Sequence, residues 1–223
     1  MTMDGYKYKE FAIAITAQSH NPTILNPDFL KNNEIVPADW ELDQDIPQFT
    51  SFPVSQVAFK NGISIKAQLD RIIFSQIVLD NEKANFSIPD IALRYVKKLP
   101  YVSYTAIGIN PSATVKLSST SLAENFIVDN YIMDGPWKLF GGIKPIVSTT
   151  FIYSLSDVKI RLFMDVESLN KGSEEIPLIL FSSNFHRDLL TKEPVKMIEN
   201  IIGKWEIDLD TFNTLMHIFL KKD

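Results

Sequence analysis

The sequence predicts an α+β fold in which antiparallel sheet, built from two strand meanders, is backed by helices. Two observations carry this. Alternating apolar runs recur in groups of three, over 54–79 and again over 146–182, and each group is followed by amphipathic helical stripes. Hairpins therefore outnumber possible strand–helix–strand crossovers, which disfavours a doubly wound parallel sheet. The chain of 223 residues is 45% hydrophobic and 22% charged, an ordinary globular composition. It is read as one α+β domain, 1–223, with two similar halves at about 1–110 and 111–223 that share one core.

Phe11 to Ala17 alternates large and small apolar residues and reads as the first strand. From Gln18 to Pro53 the pattern changes, because five of the twelve prolines lie here and no regular period survives them. Ile24, Leu25, Phe29, Leu30, Ile35, Val36 and Trp40 nevertheless give this excursion many apolar anchors, so it should lie ordered on the domain. Asp28, Glu34, Asp39, Glu41, Asp43 and Asp45 against Lys31 place the equivalent of the whole net charge of −5 within it.

Val54–Phe59 and Ile63–Leu69 should form a hairpin closed by a two-residue Asn61-Gly62 turn, with Arg71–Leu79 as third strand. Ser87 is placed to cap a helix over 88–98, with Pro89 and Asp90 early and Lys97 and Lys98 late. Val102–Ile109 reads as a strand. Ser121 and Glu124 fit a capping box for a short helix to about Val128, and Asp129–Pro145 is a connector punctuated by Gly135, Gly141 and Gly142. Strands are expected at Ile146–Tyr153, Asp157–Val166 and Pro177–Ser182, with Glu167–Ile176 as a polar loop. Pro194 opens a helix closed by Gly203, and Asp208 is expected to cap a last helix reaching Lys221.

An acidic balance argues against a general nucleic-acid or anionic-membrane binder. No window approaches the ~20 apolar residues of a spanning helix, no export signal is legible, and a cytoplasmic setting is the default expectation. The absence of cysteine excludes disulfides, thiolate metal sites and cysteine nucleophiles. His20, His186 and His217 are too far apart in sequence to suggest a shared metal site, and Asp165 with Glu167 reads as a solvated strand face, so no metal or cofactor is expected. The eight glycines make neither a phosphate loop nor a dinucleotide fingerprint, and no Gly-x-Ser-x-Gly is present.

One stretch could carry catalysis. At the end of an expected strand, His186, Arg187 and Asp188 bring an imidazole, a guanidinium and a carboxylate together, as a general acid or base with an orienting carboxylate requires. The competing reading is that His186 and Arg187 serve the strand exit while Phe185 fills the core.

Ile24-Leu-Asn-Pro-Asp-Phe-Leu30, Ile35-Val-Pro-Ala-Asp-Trp40, Asn61-Gly-Ile-Ser-Ile65 and Asn184-Phe-His186 together resemble a group of conserved bacterial, cyanobacterial hypothetical proteins. That resemblance implies a bacterial, cytoplasmic setting and carries over no activity and no functional residue.

The sequence thus favours a non-catalytic module that binds another protein through the acidic, aromatic excursion, with Asp39, Trp40, Glu41 and Asp43 as the binding residues. The alternative is a hydrolase or nuclease using His186, Arg187 and Asp188.

Overall fold

In a computed structural model, described here for residues 5–79, 85–171 and 174–221, the chain forms one nine-stranded antiparallel sheet with its helices on a single face. In chain order the elements are β1 (Lys7–Ala17), α1 (Pro27–Asn32), β2 (Phe49–Thr50), β3 (Val54–Ala58), β4 (Ile63–Gln68), β5 (Arg71–Ile77), α2 (Ile88–Lys98), β6 (Tyr104–Lys116), α3 (Thr120–Tyr131), β7 (Thr149–Ser154), β8 (Lys159–Lys171), β9 (Glu174–Asp188), α4 (Pro194–Ile202) and α5 (Trp205–Leu220). Both expected meanders are present, β3–β4–β5 and β7–β8–β9. They join into one sheet because β1 and β6 pair between them, giving the order β2-β3-β4-β5-β1-β6-β9-β8-β7. Read outward from the β1–β6 pair, either direction meets the last strand of a meander first and its opening strand last.

The row Val57, Ile65, Phe74, Ile13, Ile109, Phe185 and Ile160 runs across the sheet in register and is buried throughout. It lies under the helices. The opposite face carries smaller and more polar side chains, as in the row Lys66, Ile73, Ala14, Gly108, His186 and Lys159. One apolar face against helices and one face towards solvent is the usual economy of an antiparallel sheet, and the side-chain alternation in β1 is its sequence signature.

Several boundaries differ from expectation for identifiable reasons. β6 extends seven residues past Ile109 although Pro111 lies within it. Proline offers no N–H to the ladder, and β6 pairs with β9 on either side of Asn110 and Pro111 while those two residues are passed over. The Asn184 amide donates to the Asn110 side chain across that gap. Gly108 leaves room for that amide, since a Cβ there would sit 2.6 Å from Asn184 Nδ2 and displace it.

The Asn61-Gly62 hairpin has a three-residue loop rather than two. Gly62 N–H donates to Phe59 O, Phe59 N–H to Ile63 O, and Gly62 takes φ of +81°, a turn followed by a left-handed residue. α3 is capped by Ser119, whose Oγ accepts from Leu122 N, and not by Ser121. Ser87 makes no side-chain cap to α2. The expected polar loop at Glu167–Ile176 is instead mostly strand, because β8 and β9 run on as a long hairpin past Val166. α5 begins at Trp205, so Asp208 lies inside its first turn and is buried.

Candidate functional site

The excursion from Gln18 to Pro53 is ordered, and the short helix α1 inside it is one that proline spacing hides. Asn26 Oδ1 accepts from Phe29 N, and Pro27 occupies the first helical position, where its missing N–H costs nothing. Leu25, Leu30, Ile35 and Val36 are buried in the core. Further along, the segment docks against the outer side of β3. Asp43 N–H donates to Ala58 O, Lys60 N–H to Glu41 O, and Leu42 bridges Phe59. Gln48 acts as a surrogate strand: its Nε2 donates to Ala58 O at 3.2 Å and its Oε1 accepts from Ala58 N at 2.8 Å.

The four residues expected to bind a partner therefore lie on a strap that closes one sheet edge. Trp40 is half-buried, edge-on to Phe59 with ring centroids 5.3 Å apart. Glu41 is paired with Lys60, whose hydrogen bond and charge hold its carboxyl below the ordinary range. Asp43 turns back to accept from Asp45 N at 2.8 Å, and Asp39 is exposed.

His186, Arg187 and Asp188 are divided between the two faces of the sheet. His186 Nε2 lies 3.2 Å from Asp188 Oδ1 on the solvent face, the side chains being 39% and 65% exposed. Arg187 points the other way. Its Nη1 and Nη2 donate to Asp208 Oδ2 and Oδ1 at 2.7 and 2.8 Å, a bidentate pair between β9 and α5. Residues one apart on a strand face oppositely, so a run of three consecutive strand residues cannot converge on one substrate.

His20 is buried at the start of the excursion and hydrogen-bonded through Nε2 to Tyr95 Oη at 2.9 Å. Burial lowers its pKa from 6.5, against a smaller opposing effect of the Gln68 carbonyl, which favours the neutral ring. It borders a cavity of about 360 Å³ with Ser19, Phe52 and Leu69. Among the described residues, no three His, Asp or Glu side chains lie together as metal ligands would, and no helix is long and apolar enough to cross a membrane.

The feature that the sequence reading passed over lies at the other edge. Residues 132–148, between α3 and β7, present Met133, Trp137, Leu139, Phe140, Ile143 and Ile146 to solvent. Exposed polar contacts brace the segment. Trp137 Nε1 donates to Met133 O, Lys138 pairs with Asp134, and Lys144 Nζ reaches Asp129 Oδ1 at 2.8 Å on α3.

Gly141 and Gly142 take φ of +61° and +81°, and Phe140 and Ile143 exchange two backbone hydrogen bonds of 3.1 Å. This is a two-residue hairpin turn of the kind that demands left-handed backbone, hence the glycine pair. It holds Phe140, 91% exposed, beside Ile143, 73% exposed. A depression of about 310 Å³ lies between this segment and α3, lined by Glu124, Asn125, Ile143, Lys144, Pro145 and Ile146.

β7 follows and is the last strand of the sheet. Among the described residues, nothing pairs with its outer side. The sequence signal for this surface was present: six large apolar residues in a stretch punctuated by Pro136, Gly141 and Gly142, which carry no helical or strand period and so have no element to bury them.

Compared with protein-family models, with curated proteins and with solved structures, the chain matches none.

Proposed function

We propose that the protein is a non-catalytic protein-binding module whose docking surface is the apolar segment 133–146 together with the free β7 edge. The observation that carries this is the exposure of Trp137, Phe140 and Ile143 on a locally braced segment. Large aromatic and aliphatic side chains held out in water on a hydrogen-bonded backbone are what interface anchors look like before their partner arrives, because less backbone ordering entropy remains to be lost on binding. The partner accordingly presents apolar surface of its own. The acidic strap at Asp39–Asp43 closes its own sheet edge and serves the fold first.

The test is the native complex in cells that produce the chain, recovered by cross-linking through a tag. Trp137→Ser, Phe140→Ser and Ile143→Ser in combination should abolish the complex without lowering the melting temperature, since these side chains pack on little. Asp39→Asn, Glu41→Gln and Asp43→Asn in combination should leave it intact. The reverse pattern would return the binding role to the acidic strap.

A further inference from the structure

We infer that the occupant of the β7 edge is the β7 edge of a second copy of this chain, the two strands pairing antiparallel about a twofold axis. This rests on the protein-binding reading above and names its partner.

An exposed strand edge offers a row of unpaired N–H and C=O groups, and proteins that stay monomeric blunt such edges with lysine, proline, a bulge or a covering segment. β7 has none of these. Its pairing with β8 runs without a register shift from Thr149 opposite Met164 to Ser154 opposite Lys159. The eleven residues from Ile146 to Ser156 contain no charge and no proline. Only β7's inner neighbour is charged, with Lys159, Arg161, Asp165 and Glu167 on β8.

Neutrality matters for the choice of occupant. In a twofold contact each residue near the axis faces its own copy, so any charge there meets a like charge. A strand free of charge along its whole length meets itself without that repulsion, and offers nothing electrostatic to a charged partner.

The flanks agree. Ile146 precedes the strand and Leu155 follows it, and both are exposed. With Thr150 on the axis, antiparallel pairing sets Ile146 of one copy opposite Ser154 of the other, next to Leu155, at both ends of the contact. Ile152, 54% exposed on the solvent face, stands two residues from that axis. On the helix side, Phe151 already packs on Phe219 and Tyr131, so the contact extends a core that reaches the edge. The result is one continuous sheet of twice nine strands.

The natural chain contains no cysteine, so a single introduced thiol reports without background. Thr150→Cys should cross-link rapidly to a covalent dimer under mild oxidation, whereas Asp39→Cys, on the strapped edge, should not. Sedimentation should find the natural chain dimeric at micromolar concentration, and Ile152→Lys monomeric with an unchanged melting temperature. A natural chain that sediments as a monomer overturns the inference, as does a dimer that survives Ile152→Lys or cross-links equally through Asp39→Cys. If the chain is monomeric and the combined Trp137, Phe140 and Ile143 variant still loses its cellular complex, self-pairing is wrong and the protein-binding reading stands.

Discussion

At the β2–β3 margin of the sheet, β2 covers Ser55 and Gln56 of β3, and beyond it Gln48 supplies a side-chain amide to Ala58 in place of a strand, Asp43 and Lys60 add backbone bonds, and Leu42 and Trp40 close over Phe59. At the β7 edge the backbone is bare and the segment leading to it turns its apolar side chains outward. The same sheet thus finishes its two margins in opposite ways. Both segments are irregular and rich in apolar residues, so hydrophobicity alone does not separate them. The excursion spans β1 to the first meander across the core and buries Leu25, Leu30, Ile35 and Val36 on the way. The segment 132–148 turns most of its apolar residues outward, while Val147 at its end packs against the core.

That contrast can be broken first at Phe59. It is fully buried under the strap, so Phe59→Ala should cost about 3–5 kcal/mol, as large-to-small core changes do, with the loss read by chemical denaturation. A loss under about 0.5 kcal/mol, the range of surface substitutions, would mean that the strap is not part of the folded core.

A smaller effect belongs to Gln48. Gln48→Leu keeps the bulk but leaves Ala58 N–H and C=O without their side-chain partner, for an expected loss of about 1–3 kcal/mol. It should also ease release of the strap, which then holds β3 only through Asp43, Lys60 and β2, and so expose a second edge more often. Light scattering should show higher-order association in this variant alone, because one open margin permits a pair and two permit a chain.

The smallest expected effect is in pH dependence. Burial holds the folded-state pKa of His20 below 6.5, so the unfolded chain takes up a proton before the folded one does as pH falls. Stability from this group is complete above the unfolded pKa and is lost as pH drops from 6.5 towards the folded value. The melting temperature should therefore fall over that window, and His20→Gln should flatten part of the fall. An identical slope in the variant would place the acid sensitivity elsewhere.

How much of this was legible in the sequence follows the same divide. The meanders, α2 and the antiparallel class were readable because alternation and helical stripes report burial of one face. The joining of both meanders into one sheet was not, since it depends on β1 pairing with strands about sixty and a hundred residues away, and local pattern carries no such information. Pro111 concealed the length of β6, because a proline in a central strand normally argues against one and only the local gap in the β6–β9 ladder accommodates it.

The site was less legible. Asp39 to Asp43 drew notice through charge, and the Trp40–Phe59 contact shows a structural duty that charge does not announce. His186 and Asp188 were expected together and are together, while Arg187 is turned through the sheet to Asp208, which the sequence suggested only as a cap. The apolar hairpin at Phe140–Ile143 was visible as residues and was passed over as a connector.

Amide hydrogen exchange, measured on the natural chain at low and at high concentration, tests the bare edge most directly. Protection in β7 and across 133–146 should rise with concentration, while the β3 edge under its strap stays equally protected throughout. Protection that is independent of concentration in β7, or that rises at Asp39–Asp43 instead, would contradict the assignment of the β7 margin as the docking surface.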